Sequence, residues 1–294
     1  MKNDKHILVE HGEKISLKDY DTSYTAHFKN KEDALEMLEK DLIILSELQD
    51  VLYASNTYSL LIIFQAMDAA GKDGTIKHVM SGINPQGCEV HSFKEPSREE
   101  LEHDFLWRCA KRLPERGKIG IFNRSYYEEV LITKVHPGLI LRQSIPGINS
   151  LDDINDGFWK KRYEQINSFE KHVYENGIII LKFFLHVSKK EQRERFLKRI
   201  EQTEKNWKFS LDDVRERANW NKYRAAFEDA INHTSTRHAP WYIIPADHKW
   251  FMRTAVGDII VSTLESLNLK YPQVNDEMKA DLIKAKQILE SEND

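Results

Sequence analysis

Leu60 to Thr75, reading LLIIFQAMDAAGKDGT, is the stretch on which the fold of this chain turns. Leu60, Leu61, Ile62, Ile63 and Phe64 form a short apolar run rich in β-formers, the pattern of a strand covered on both faces. Small residues follow, with Gly71 and Gly74 bracketing Lys72, and a helical pattern begins at about Lys72. A strand that turns through small residues into a helix leaves backbone N–H groups unpaired at the helix start. Those donors, the positive end of the helix dipole and the Lys72 ammonium make a seat for a phosphate chain. Ala70, Gly71, Asp73, Gly74 and Thr75 share that bend and are candidate phosphate contacts with it.

The standard phosphate-loop pattern, G-x-x-x-x-G-K-[ST], is matched only in part. Ala66 stands where the first glycine belongs, and Asp73 follows the lysine where a metal-binding hydroxyl is usual. Asp68 offers an oxygen ligand for Mg²⁺ from inside the loop, and Thr75 offers a hydroxyl two residues late. Gly-Lys-Asp-Gly also makes an ordinary surface turn. The strand before it and the helix after it favour the phosphate seat over a tight turn whose lysine faces water.

A net charge of -4 gives no global attraction to nucleic acid or membrane, so an anionic substrate must be met by a local basic patch. Two cysteines, Cys88 and Cys109, suit neither a disulfide framework nor a zinc cluster and read as small buried hydrophobes. The opening MKNDKHILVEHGEK lacks the apolar core of a signal peptide, and no apolar run reaches membrane-spanning length. A cytoplasmic setting is the expectation.

Outward from the loop, residues 1–29 are polar and without clear periodicity, an arm expected to lie over the surface. Leu35, Leu38, Leu42, Leu45, Leu48 and Leu52 recur at helical spacing and predict one long packing helix. Cys88–Phe93 reads as a second strand, with Lys94 just past its end, where ligands gather in open parallel sheets. Ser97 and Glu100 form a capping box that opens a helix running to about Leu113; His103 on it reads as structural. Residues 119–122 make a third strand, followed at once by Asn123, Arg124 and Glu128. Arg124 has a planar fork suited to phosphate oxygens, Asn123 a neutral oxygen, and Glu128 reach to a metal through water. A loop excursion, a helix over about 159–173 capped at Asn176-Gly177, the apolar strand IIILKFFLHV (178–187) and a short strand PWYIIP (240–245) complete five strands.

Between the last two strands lies the most basic segment, with Arg193, Arg195, Lys198 and Arg199, then Lys205 and Lys208. Much of it is solvated helix surface, with Glu191, Glu194 and Glu201 beside it. Its helical periodicity breaks at 203–209, as the hinge of a lid would. A helix extends to about residue 268, and residues 271–294 form a charged helical tail.

With these segments in place, the sequence resembles the family-2 polyphosphate kinases. The likeness rests on AMDAAGKDGT (66–75), INPQGCEVHSFKEPSREELEHDFLWR (83–108), IFNRSYYEEVL (121–131), LKFFLHVSKKEQRERF (181–196), KNWKFS (205–210) and APWYIIPADHKWF (239–251). It implies a three-layer α/β/α P-loop kinase fold, thymidylate-kinase-like, over residues 30–270, with a mostly parallel five-stranded sheet and a helical lid at about 198–215. It implies phosphoryl transfer between inorganic polyphosphate and nucleotides, with Mg²⁺ (or Mn²⁺), in a homodimer or homotetramer. Asp68 and Lys72 match the family's loop Asp and Lys, Gly71 and Gly74 its glycines, Arg124 the Arg of the second element, and Arg199, Lys205 and Lys208 basic lid positions. Asn123 replaces the Asp of members dedicated to nucleoside diphosphates, and Glu128-Glu129 their Asn-Arg pair, as in the subgroup that also phosphorylates monophosphates. The competing readings are an ATP-dependent nucleoside monophosphate kinase and a non-catalytic polyanion-binding protein; the acidic balance and lack of aromatic-basic interleaving disfavour RNA.

Overall fold

The computed structural model describes residues 1–292, except for the side chain of Lys208. Strands β1 (Leu8–Val9), β2 (Ser59–Ala66), β3 (Cys88–Ser92), β4 (Ile119–Asn123), β5 (Ile178–His186) and β6 (Trp241–Pro245) form a six-stranded sheet in the order β1-β6-β5-β2-β4-β3. The longer helices are α1 (Lys31–Ser55), α2 (Lys72–Val79), α3 (Asp156–Glu175), α4 (Lys189–Glu201), α5 (Leu211–Glu216), α6 (Trp220–Thr234), α7 (Lys249–Ser266) and α8 (Asp276–Ser291). Strands β2 to β6 run parallel, as the apolar runs predict, whereas β1 pairs antiparallel with β6. The sheet therefore has six strands, not five. The sixth comes from the N-terminal arm, which does more than lie over the surface: Ile7 and Val9 are fully buried, and Leu8 and Val9 cover the edge of β6.

β2 sits between β5 and β4 and is buried on both faces. Leu60, Ile62 and Phe64 pack with α1 and α7, and Leu61 and Ile63 with α3 and α6. The chain leaves β2 toward β3 and β4 on one side, then crosses to β5 and β6 on the other. Loops that follow neighbouring strands thus diverge at their carboxyl ends, which opens a crevice there.

Two expected helices differ in detail. On α1 the buried face is Ala34, Leu38, Asp41, Leu45, Gln49 and Leu52, so Leu35, Leu42 and Leu48 flank the stripe instead of centring it. Gly257 of α7 allows that close packing, because a Cβ there would lie 3.1 Å from Leu38 Cδ1. The capping box of Ser97 and Glu100 is present, but its helix stops at Leu101 and a second short helix spans Trp107–Ala110. Asp104 restarts the chain, its carboxylate accepting from Leu106 N at 2.9 Å, a local bond that competes with helix continuation.

Lys182, inside the apolar β5, is fully buried and donates to Glu170 (2.6 Å), Tyr127 Oη (2.9 Å) and the Thr234 carbonyl (2.7 Å). Glu170 also accepts from Tyr126 Oη (2.9 Å) and Tyr127 Oη (2.8 Å). Every strong donor in this buried pair finds an acceptor, which is the condition for keeping such charges inside.

Asp41 is a different case. Burial, with Asp258 nearby, pushes its carboxyl up to about 7, above the ordinary value of about 3.9. Its raised folded pKa means that the protonated form contributes stability in acid and that this contribution is lost as pH climbs toward 7. Asp41→Asn keeps the shape without the charge. Its stability relative to the native protein should rise between pH 5 and 8, read as denaturant midpoints; a difference that stays flat with pH would refute the burial of that charge.

Candidate active site

The loop between β2 and α2 is built by turning its carbonyls inward. The carbonyl of Ala66 accepts from Lys72 Nζ (3.3 Å), that of Met67 from Ala70 N (3.2 Å) and that of Asp68 from Gln192 Nε2 (2.8 Å). Those of Ala69 (3.2 Å) and Ala70 both accept from Arg195 Nη1, and that of Gly71 from Thr75 Oγ1 (3.1 Å). The N–H groups of Ala69, Gly71, Lys72 and Gly74 meet no protein acceptor among the described residues. Ala69 (φ +59°) and Gly71 (φ +110°) adopt left-handed backbone, which turns successive N–H groups to one side as in an anion-binding nest. An alanine held there stores strain of the kind found at ligand sites.

Arg195 is the clasp of this arrangement. It is almost fully buried, and besides the two loop carbonyls it donates to Ala246 O (2.5 Å), Asp247 O (3.3 Å) and, through Nε, to Glu191 (2.7 Å). Reading the segment as a basic lid grouped Arg195 with the solvated charges; its fork instead ties α4, the loop and the end of β6 together.

The second element follows β4. Arg124 has left-handed backbone (φ +66°), its N–H bonds Phe64 O (3.1 Å), and its guanidinium lies 3.4 Å from Asp68. Asn123 Nδ2 donates to Asp73 Oδ1 at 2.9 Å. Glu128 is backed by Gln65: with its amide nitrogen turned to the carboxylate, Gln65 donates to Glu128 Oε1 at 2.8 Å and accepts from Ser125 N at 3.0 Å. Burial raises the Glu128 carboxyl above its usual range, against the pull of Arg124 and Lys72. Burial and the Arg124 cation lower the Lys72 ammonium, while Asp68, Glu128 and Asp73 oppose them. Asp68, Lys72, Arg124 and Glu128 therefore sit within one electrostatic neighbourhood.

A cavity opens beside them. Ala66, Met67, Asp68, Arg124 and Glu128 line one part, Leu131, Ile132, Trp220, Tyr223 and Phe227 an apolar part, and Gln192, Asp213, Glu216 and Arg217 the rest. The aromatic residues are three and four apart on α6, one helix face, and were not singled out from sequence. Glu216 is fixed by Tyr223 Oη (2.8 Å) and His136 Nε2 (2.9 Å), and Arg217 by Gln192 Oε1 (2.5 Å).

Other sequence candidates lie differently. Thr75 is buried with its hydroxyl spent on Gly71, and Lys94 follows the edge strand β3, two strands from β2, outside this cavity. Arg199 is 3.9 Å from Asp213, Lys205 bonds Gln202, and the side chain of Lys208 lies outside the described residues. Asp213 is raised by burial and then by Asp68, so this segment faces the loop. His103 stacks on Trp107, and burial pushes the Cys88 and Cys109 thiols up to about 11 and about 12, keeping them protonated.

Among the described residues, no group of three or more His, Cys, Asp or Glu side chains forms a ready metal cage. Asp68 with Glu128 nearby still suits Mg²⁺, which takes one or two carboxylates and completes its shell with water and substrate phosphates.

An inward-facing set of carbonyls, an outward-facing set of N–H groups and two cations at the switch point of a parallel sheet define a site for phosphate chemistry. The model of the family "Polyphosphate kinase 2 (PPK2)" matches residues 28–272, and the chain belongs to that family. It is 50% identical over 285 residues to the ADP-polyphosphate phosphotransferase of Rhodopseudomonas palustris, covering 97% of this chain and 98% of that one. It is 43% identical to the AMP/ADP-polyphosphate phosphotransferase of Meiothermus ruber, over 92% of this chain and 96% of that one. The crystal structure of polyphosphate kinase 2 from Arthrobacter aurescens TC1 superposes with a TM-score of 0.85 at 36% identity, covering 96% of each chain.

Replacing Arg195 by Met should strand several buried carbonyls. The expected cost is about 3 kcal/mol of unfolding free energy by chemical denaturation, from acceptors that lose a charged donor. A loss below about 0.5 kcal/mol, the range of ordinary surface changes, would show that the clasp is dispensable.

Proposed function

We propose that this protein transfers phosphoryl groups between inorganic polyphosphate and nucleoside mono- and diphosphates. The observation that carries the reading is the cavity in which Asp68, Arg124 and Glu128, beside the loop, meet an apolar wall. In this reading a nucleotide sets its base against Trp220, Tyr223 and Phe227 and turns its phosphates toward Arg124 and the neighbouring Lys72. The wall offers π-faces and few directional polar groups, which suits stacking more than strict choice of base.

In this reading the protein does little covalent work; alignment and charge neutralisation carry the rate. Lys72, Arg124 and the loop N–H groups take up the charge of the group in transfer. Asp68, with Glu128 or Asn123 assisting, would hold Mg²⁺ (or Mn²⁺), which would supply neutralisation of phosphate charge. The acceptor's own phosphate oxygen is the nucleophile, so no general base is assigned. The segment 198–215 acts as a helical lid carrying Arg199, Lys205 and Lys208. The Arg199–Asp213 contact, long and partly exposed, exchanges readily for a phosphate oxygen. The strand order around β2, with the loop at its end, supports a thymidylate-kinase-like P-loop kinase fold, and in this reading the protein works as a homodimer or homotetramer in the cytoplasm.

The test is a product assay with AMP, ADP, GMP or GDP, each supplied with polyphosphate and no ATP. Formation of the next higher phosphate is expected; turnover with ATP alone would favour a nucleoside monophosphate kinase. Lys72→Ala should lower kcat by about 10²-fold or more, the usual cost of removing one transition-state donor. Retention of turnover within a few-fold of the native enzyme would remove Lys72 from the mechanism.

A further inference from the structure

Helix α8 contributes nothing to the core. Its N-cap is in place, with Asn275 Oδ1 accepting from Met278 N at 2.8 Å. The ion pairs Lys279–Asp276 (2.9 Å), Lys284–Asp281 (3.6 Å) and Lys286–Glu290 (3.6 Å) run along it. Yet every residue from 270 to 292 is exposed, so α8 buries no side chain against the rest of the chain. A lone helix of 16 residues is marginal in water, and exposed ion pairs one turn apart add little to it.

The side chains of α8 do not have the pattern of a solvated helix. Met278, Leu282, Ala285 and Leu289 follow at spacings of four, three and four. That is a heptad seam, with Leu282 and Leu289 at a and Met278 and Ala285 at d. Leu282 is 55% exposed and Leu289 66% exposed, a position at which a seam of this kind has no driving force unless something covers it. Ile288, at g, widens the stripe, whereas Ile283 lies off it. The two flanks differ in charge, with Lys279 and Lys286 at e and Asp281 at g.

This asymmetry separates the ways of covering the seam. Between two parallel copies in register, g of one helix faces the following e of the other. Asp281 then stands opposite Lys286 of the second copy, and two-fold symmetry makes the pair twice. Between antiparallel copies e faces e, which sets lysine against lysine. A lipid surface is a poor match, because α8 holds three lysines against four carboxylates and interfacial helices are rich in Lys and Arg on the polar face.

We propose that α8 pairs with α8 of a second copy of this chain, parallel and in register, along the seam of Met278, Leu282, Ala285 and Leu289. The inference rests on the reading of the protein as a homo-oligomer and names a contact for it. The ion pairs of Asp281 and Lys286 within one helix are long and exposed, so they exchange readily for the pair between copies.

The experiment is disulfide trapping in the full chain. Ala285→Cys should join two copies under mild oxidation, because the d positions of a parallel pair in register bring equivalent Cβ atoms within disulfide reach. Gln287→Cys, on the opposite face of α8, should not, nor should the native chain with its free Cys88 and buried Cys109. Adding Asp281→Lys to Ala285→Cys should slow the cross-link about fivefold, through attraction turned to repulsion at two exposed pairs. Adding Lys286→Asp as well should restore the rate, since residues five apart do not face each other on one helix and meet only between copies. All these positions are exposed, so the fold is not at stake. No cross-link in Ala285→Cys, equal cross-linking in Gln287→Cys, or a charge reversal that Lys286→Asp fails to rescue overturns the pairing. A native protein that sediments as a monomer overturns the oligomeric reading with it, whereas a native oligomer with no cross-link in Ala285→Cys overturns the pairing alone.

Discussion

A loop that presents its N–H groups to an anion must send its carbonyls somewhere else, and buried carbonyls need donors. That constraint organises much of this protein. Six consecutive carbonyls, from Ala66 to Gly71, each find a donor, and four different side chains supply five of them. Arg195 answers for two of the six and adds two more from the end of β6. Because Arg195 and Gln192 both lie on α4, the helix that follows β5 also holds the loop. Movement of α4 would be felt at Asp68, whose carbonyl Gln192 grips and whose carboxylate meets Arg124.

The second element depends on a different interior device. Tyr126 and Tyr127 lie between Arg124 and Glu128 in sequence and are anchored by the buried Lys182–Glu170 pair. A short 3-10 turn, Tyr126–Val130, has little intrinsic stability, and these two hydroxyls pin it to the floor formed by β5 and α3. Replacing the pair by hydrocarbon would preserve volume but release both hydroxyls. Its value is thus positional as much as energetic, in line with the small or negative net stability of many buried ion pairs.

The strands, the loop and its helix were legible because each is a local pattern: apolar runs of four to ten residues, then glycines, then helical spacing. The edge strand β1 was not, since two residues carry no periodicity and its existence depends on β6 needing a cover. The role of Lys182 was hidden, although a lysine inside IIILKFFLHV was the visible anomaly; its partner lies on another element, and no spacing rule pairs them. Arg195 and Lys198 look alike in sequence, yet one is buried and engaged with carbonyls and Glu191 and the other is exposed. Burial separates them, and burial is a property of the assembled fold. The aromatic face of α6 shows the same limit: Trp220, Tyr223 and Phe227 have core-like spacing, and only tertiary placement makes them a cavity wall.

A chain of net charge -4 still has to attract a polyanion, and the distribution of its cations shows how. Lys72 and Arg124 stand at the loop, where the carboxylates of Asp68 and Glu128 share their electrostatic neighbourhood. Lys249 and Arg253 stand one turn apart at the start of α7, in the field of Arg195 and with Glu191 opposing at Lys249. Net charge therefore says little about the field at the loop, which is set by the charges that the fold places beside it.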